Sequence, residues 1–220
     1  MNLRLTELYD YDALRKESEP TMYVVRAQRA TLVLGSTQSS EILDAQRVGE
    51  TPLRRRRGGG GLVLVQPDDL WIDWWIPADD PRWRRDVHAS SRMVGEWWAD
   101  VLRAVVPGEV SVHDGPLAGD RAYRLVCFAG RGPGEVFVDG VKAVGVTQWR
   151  VREGMFVSTI MLAHPSSDVL PYLLEIPDGI GRALEHHVLS SVTDAGPQEL
   201  VDALRRSSGP WRERAIQLPG

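Results

Sequence analysis

Arg54-Arg55-Arg56-Arg57-Gly58-Gly59-Gly60-Gly61-Leu62-Val63-Leu64-Val65-Gln66 sets four arginines against four glycines and runs the glycines straight into an apolar, β-type segment. Glycine tolerates positive φ and lets one backbone approach another group closely. Successive amide N–H groups in such a turn can form a concave anion site. Neighbouring arginines add charge-assisted, often bidentate, contacts to carboxylate or phosphate. The stretch reads as a loop that grips an anionic small molecule. The same composition also describes a flexible linker with a solvated basic run; against this, a Leu/Val strand follows instead of polar sequence. The loop lacks the Gly-Lys-Ser/Thr ending and following helix of a Walker-type phosphate loop. It also lacks the strand-before, helix-after setting of a dinucleotide fingerprint.

Downstream, residues 62–65 and 70–76 read as strands joined by the turn Gln66-Pro67-Asp68-Asp69. The second, Leu70-Trp71-Ile72-Asp73-Trp74-Trp75-Ile76, is nearly continuously apolar and is expected to be central. Pro77 and Pro81 frame a loop. Residues 83–106 carry a helical apolar face through Val87, Val94, Trp97, Trp98, Val101, Leu102 and Val105. Its tryptophans are read as core. Short strands are expected at 110–112 and 125–128. Residues 135–138 and 141–149 form a hairpin signal around Asp139-Gly140. A strand at 155–162 and helices over 179–190 and 197–206 follow. Upstream, a strand at 3–8 and a helix over 9–19 precede Pro20, residues 21–28 are ambiguous, and residues 31–34 form a β segment ending at Gly35. A helix over 41–47 is expected to be capped by Ser39 or Ser40. No internal repeat is present. Interspersed helices and strands with hairpin signals give an α+β fold, with mixed sheets packed against helices. Residues 1–206 are expected to form a single catalytic domain, with 207–220 a loosely ordered tail.

The 220 residues are 43% hydrophobic and 25% charged, with a net charge of −4, an ordinary globular composition. The acidic balance gives no sign of a nucleic-acid partner. No apolar run approaches the roughly 20 residues that span a bilayer, and the N-terminus lacks signal-peptide order. The single cysteine, Cys127, excludes an internal disulfide and fits a reducing compartment, so a cytoplasmic location is expected. Of 26 basic residues only Lys16 and Lys142 are lysine. Lys142 therefore stands out, a lysine within an apolar strand pattern of a chain that uses arginine elsewhere.

The second informative stretch is Glu135-Val136-Phe137-Val138-Asp139-Gly140-Val141-Lys142-Ala143-Val144-Gly145-Val146-Thr147-Gln148. It resembles the strand, Asp-Gly, essential lysine and glycine pattern of the lipoate-protein ligases, within the biotin/lipoate ligase superfamily. Arg56-Arg57-Gly58-Gly59-Gly60-Gly61 is similar to that family's Arg-Arg-x-Ser-Gly-Gly-Gly loop, roughly 80 residues earlier as in the family. Leu32-Val33-Leu34-Gly35-Ser36-Thr37-Gln38 resembles its apolar-Gly-x-x-Gln segment. The sequence departs from the family at Gly58 (serine), Val65-Gln66 (His-Asp), Asp69 (Asn) and Val157-Ser158-Thr159 (His-Gly-Thr).

The resemblance implies activation of lipoate, or a related medium-chain acyl acid such as octanoate, by ATP with Mg²⁺. An acyl-adenylate would form, and the acyl group would pass to a lysine of a lipoyl-domain acceptor protein. Lys142 is then the catalytic cation, holding the anhydride oxygens. Arg56, Arg57, Gly58, Gly59, Gly60, Gly61, Asp69, Gly145, Thr147 and Thr159 would bind substrate or adenylate, and Glu135 would place the metal. On residues alone, Lys142 can also be a snorkelling edge-strand lysine, and Glu135 a solvated turn residue. Two rival functions stay open: an octanoyl or lipoyl transferase working without ATP through Cys127, and a non-catalytic ligand-binding protein on the same scaffold. In the ligase reading Cys127 is packing only, and the histidines are structural or exposed.

Overall fold

The computed structural model describes residues 3–119, 124–184 and 186–219. Two sheets organise it. The larger has seven strands in the order β11-β2-β6-β10-β9-β8-β7, and the smaller has four in the order β1-β4-β3-β5. In chain order the strands are β1 (Leu5–Glu7), β2 (Thr21–Ala27), β3 (Thr31–Leu34), β4 (Leu53–Arg55), β5 (Val63–Val65), β6 (Leu70–Pro77), β7 (Val110–Val112), β8 (Val136–Val138), β9 (Val141–Val151), β10 (Gly154–Met161) and β11 (Arg212–Leu218). The helices are α1 (Tyr11–Leu14), α2 (Ala45–Val48), α3 (Val87–Arg103), α4 (Ile180–Ala183), α5 (Leu189–Val192) and α6 (Pro197–Ser208). The fold is α+β.

The apolar run of β6 is explained by burial on both faces. Alternation sends Leu70, Ile72, Trp74 and Ile76 into the core under α3 and α6, with Val94, Trp98, Leu200 and Leu204. Trp71 and Trp75 point the other way, into a second core shared with Val33, Val63 and Val65 of the smaller sheet. α3 begins where the Asp86 side chain accepts the Ala89 N–H. Trp98 is fully buried and its Nε1 donates to Thr159 Oγ1 at 2.9 Å, so that tryptophan is core as expected.

Several local expectations are corrected. The helix expected over 9–19 is only α1, because Glu17 and Glu19 turn away to pair with Arg212 and Arg214, and the Glu17 carbonyl accepts Trp75 Nε1. The helix expected over 41–47 is split: Ser39 caps a 3-10 turn at Ser40–Ile42, and Asp44 caps α2. Residues 83–86 are loop. The ambiguous segment 21–28 is β2. Residues 125–128 are not a strand; they contribute a single bridge, Leu62 to Val126. The helix expected over 179–190 is reduced to α4 and α5, and position 185 lies outside the described residues. The tail expected to be loose contains β11, paired in parallel with β2 from Arg212↔Thr21 to Leu218↔Ala27; it is the edge strand of the larger sheet and carries exposed charges at Arg212 and Glu213. Gly220 lies outside the described residues.

The expected hairpin is present. Asp139 and Gly140 both take positive φ, 50° and 78°, as a two-residue turn of mirror-image type requires. One irregularity in this hairpin decides the site. Val138 faces Val141 and Phe137 faces Lys142, but Val136 faces Val144, so β9 carries one extra residue. A bulge of this kind reverses which face the following side chains meet. Ala143 and Val144 both enter the helix-side core, while Lys142 joins Gly145 and Thr147 on the opposite face.

Candidate functional site

Between the two sheets lies a cavity of about 300 Å³. Its walls come from Val33 of β3, Val63 and Val65 of β5, Trp71 of β6, Gly145 and Thr147 of β9, and Ser158 to Ile160 of β10. The glycine loop, Gln38, Arg56, Arg124, Glu135, Lys142 and the segment Val126–Phe128 also line it. The cavity is mainly apolar, with a few convergent polar groups, as small-molecule sites are.

The arginine run does not serve the cavity as four free cations. Arg54 donates to Thr6 Oγ1 and to the Pro219 carbonyl. Arg55 donates to the carbonyls of Gly35, Ser36 and Gln38. Arg56 is buried, and its guanidinium donates to the carbonyls of Gly59 at 2.8 and 3.0 Å, Gly61 at 2.8 Å and Val33 at 3.3 Å. Burial pushes its pKa down from the ordinary arginine value. Arg57 turns away from the cavity, with its guanidinium 4.8 Å from the Tyr11 ring centroid and 5.2 Å from that of Trp149. The run is a scaffold that folds the glycine loop from within and below. Of the four, Arg56 alone lines the cavity.

The loop is as tight as its composition suggests. A Cβ on Gly35 would lie 2.0 Å from the Gly60 carbonyl oxygen, and Gly60 itself has φ +94°. The Gly59 carbonyl also accepts Thr147 Oγ1 at 3.0 Å. Gln38 ties the same corner, accepting the Gly35 N–H and donating to the Leu125 carbonyl. With these carbonyls occupied, the N–H groups of Gly59, Gly60 and Gly61 donate to no acceptor among the described residues. All three glycines line the cavity. Gly58 stands apart, packed against Thr147.

Lys142 is 4% exposed. Its Nζ donates to Glu135 Oε1 at 2.6 Å and to the Gly130 carbonyl at 3.3 Å. The ring of Phe128, itself at φ +73°, lies with its centroid 4.8 Å from Nζ. The snorkelling-lysine reading is overturned, because the ammonium is buried and paired. The second oxygen of Glu135 accepts the Gly132 N–H at 2.7 Å, so Glu135 is no solvated turn residue. Beyond Lys142 and Phe128 a second cavity opens, lined by Arg131 and Arg182. Lys142 stands at the junction of an apolar and a basic cavity.

Lys142, Glu135, Arg56, Gly59, Gly60, Gly61, Gly145, Thr147 and Thr159 are thus brought to one cavity; Arg57, Gly58 and Asp69 are not. Asp69 is buried elsewhere, accepting the N–H groups of Gln66 and Ala163. Its Oδ1 also lies 3.0 Å from His164 Nδ1. Burial alone would lower the His164 pKa, but the hydrogen bond and charge of Asp69 outweigh it and raise it. Thr159 Oγ1 donates to the Ile72 carbonyl. No group of three His, Cys, Asp or Glu able to hold a metal occurs among the described residues.

Sequence reasoning passes over Trp71, Ser158 and Arg124, which line the cavity; Cys127, the nucleophile of the transferase reading and packing in the ligase reading, lines it too. Behind Trp71 and Ser158 lies Asp73, fully buried and joined to Tyr9, Trp71 and Ser158. A carboxylate in an otherwise apolar central strand was the available signal.

A family model described as the lipoyl protein ligase A/B catalytic domain matches residues 1–206. The chain belongs to the lipoyl protein ligase A/B family. Solved structures agree on the fold of this lipoyl ligase relative. A lipoate-protein ligase A bound with ATP aligns at 21% identity with a TM-score of 0.71, over 98% of this chain and 90% of that one. A putative lipoate protein ligase from T. acidophilum with bound lipoic acid aligns at 18% identity and TM-score 0.70, over 97% and 87%. The Thermoplasma acidophilum bi-partite lipoate protein ligase, described with its E2 lipoyl domain, aligns at 20% and 0.68, over 98% and 88%. No curated protein matches the chain significantly.

Proposed function

We propose that this protein activates lipoate, octanoate or a related medium-chain acid with ATP and passes the acyl group to a lysine of a lipoyl domain. The observation that carries the reading is the placement of a buried Lys142 ammonium against the same cavity as the open amides of Gly59–Gly61. The acid's carboxylate oxygen attacks the α-phosphorus of ATP and pyrophosphate leaves. The acceptor lysine's amine then attacks the acyl carbonyl, AMP leaves and the amine loses a proton. Lys142 and the glycine amides hold the oxygens on which negative charge develops. The apolar cavity excludes water from the acyl chain. Arg131 and Arg182, across Lys142, supply charge for a nucleotide's phosphates. The solved relatives bound with ATP or lipoic acid, and the one described with a lipoyl domain, support this choice of ligands.

Mg²⁺ fits the residues present less well. It ordinarily uses one or two carboxylates together with substrate phosphates. Glu135, the cavity's carboxylate, has both oxygens engaged by Lys142 and Gly132. Glu135 is better read as the counter-ion of Lys142.

ATP–pyrophosphate exchange with a panel of acids tests the proposal. Exchange promoted by lipoate or octanoate is the expected result; its absence with every acid, in folded protein, sinks the ligase reading. Lys142→Arg is the sharper variant, because a planar guanidinium does not replace a compact ammonium in a closed site, and exchange should be lost. One observation favours a second reading: Cys127 lines the same cavity as Lys142, as a transferase working without ATP through its thiol would need.

A further inference from the structure

The wall of the cavity away from Lys142 is built with more polar chemistry than an apolar chain requires. Trp71 Nε1 donates to Asp73 Oδ1 at 2.7 Å and to Ser158 Oγ at 3.0 Å. Tyr9 OH donates to the other oxygen of Asp73 at 2.6 Å. Asp73 is fully buried and forms no ion pair among the described residues. A buried carboxylate is costly, and hydrogen bonds offset that cost only in part. What it does here is fix one indole, which lies on the cavity wall.

Strand register places that indole. Trp71 pairs with Ile160, and Ile160 pairs with Gly145, three residues from Lys142. With about 3.3 Å per residue and 4.8 Å between strands, the Trp71 and Lys142 backbones are about 14 Å apart. Carbon–carbon bonds of about 1.5 Å make an extended eight-carbon chain about 9 Å long. The Lys142 side chain and the indole take up the remainder.

We propose that Trp71, held by Asp73 and Ser158, is the stop that sets the length of acyl chain the cavity accepts. This rests on the reading of the cavity as the acyl site. The carboxyl end lies at Lys142, and the chain's methyl end meets the indole. Ser158 and Asp73 are positioning residues that act through Trp71.

The test is calorimetric titration of the full chain with hexanoate, octanoate, decanoate and dodecanoate. Wild type should prefer octanoate. Trp71→Ala should move the optimum to decanoate or dodecanoate, changing the dodecanoate-to-octanoate affinity ratio by about tenfold, the worth of burying about two more methylenes. Trp71→Phe and Asp73→Asn, which keep the wall's bulk, should shift the same ratio in the same direction by less, and keep the test open if Trp71→Ala does not fold. An unchanged length profile in folded variants, or a loss equal for all four acids, overturns the stop while leaving the acyl cavity standing. Failure of wild type to bind any acid overturns both.

Discussion

Lys142 and Glu135 form a dry ion pair, with Nζ 2.6 Å from Oε1 and the two side chains only 5% and 9% exposed. Taking both charges out of water is costly, and removing one partner strands the other. Lys142→Ala should therefore lose about 3–5 kcal/mol, lowering Tm by about 10 °C for a chain of this size. The double variant Lys142→Met with Glu135→Gln removes both charges at similar volume and should recover most of that stability, yet show no pyrophosphate exchange. Thermal unfolding and exchange on the same preparations separate the two effects. Recovered exchange in the double variant would remove Lys142 from the chemistry.

The contact between Gly35 and Gly60 gives a second test. A methyl group at Gly35 would meet the Gly60 carbonyl oxygen at 2.0 Å, and that atom is backbone. Gly35→Ala must displace the loop, at a cost of about 1–3 kcal/mol. Because the moved loop carries the open amides, acid binding should weaken at least about tenfold while circular dichroism stays native. Unchanged binding would show that those amides do not hold the carboxylate.

The legible part of this chain was what local pattern specifies. The glycine run, the Asp139-Gly140 turn and the two-sided apolar β6 each state their geometry in a few residues. The phase of β9 was not legible. By simple alternation Lys142 shares a face with Val144, and only the extra residue in the Phe137–Val144 register turns it toward the cavity. The arginines misled for a related reason. Their chemistry suits anions, but backbone carbonyls are equally good acceptors: Arg56 takes those of Gly59 and Gly61 in its own loop and of Val33 on β3, and Arg55 takes those of Gly35, Ser36 and Gln38. The tail reads as loose from its terminal position alone; parallel pairing of β11 with a strand almost 200 positions earlier leaves no local trace.

Asp73 should make stability depend on pH. Burial, against the opposing hydrogen bonds from Ser158, Tyr9 and Trp71, pushes its carboxyl up from 3.8 to about 7. The folded state then holds a proton that the unfolded chain has released. This contribution is harmless below the unfolded value, and it erodes stability as pH rises from about 4 to about 7, by about 4 kcal/mol in all. Asp73→Asn removes it. The difference in Tm between the variant and wild type should shift in favour of the variant from pH 5 to pH 8, read by calorimetry. A difference that is flat across that range would mean the carboxylate is ionised throughout.

Cys127 decides between the two chemistries. Its thiol lines the cavity, and its Sγ lies 3.7 Å from where a Cβ on Gly145 would stand, on the strand that carries Lys142. In an adenylate-forming enzyme the thiol contacts the chain but forms no bond to it. Cys127→Ser, which keeps size and removes nucleophilicity, should then leave pyrophosphate exchange within about threefold. Wild type incubated with an octanoyl thioester should take up no label. In a transferase the thiolate would attack the thioester carbonyl, the donor thiol would leave with a proton, and octanoyl would remain on Sγ. Mass spectrometry of the intact protein reads that adduct directly. An octanoyl adduct in wild type, absent in Cys127→Ser, together with no ATP-dependent exchange, would assign the cavity to thioester transfer and make Lys142 the cation that steadies the acyl oxygen during it.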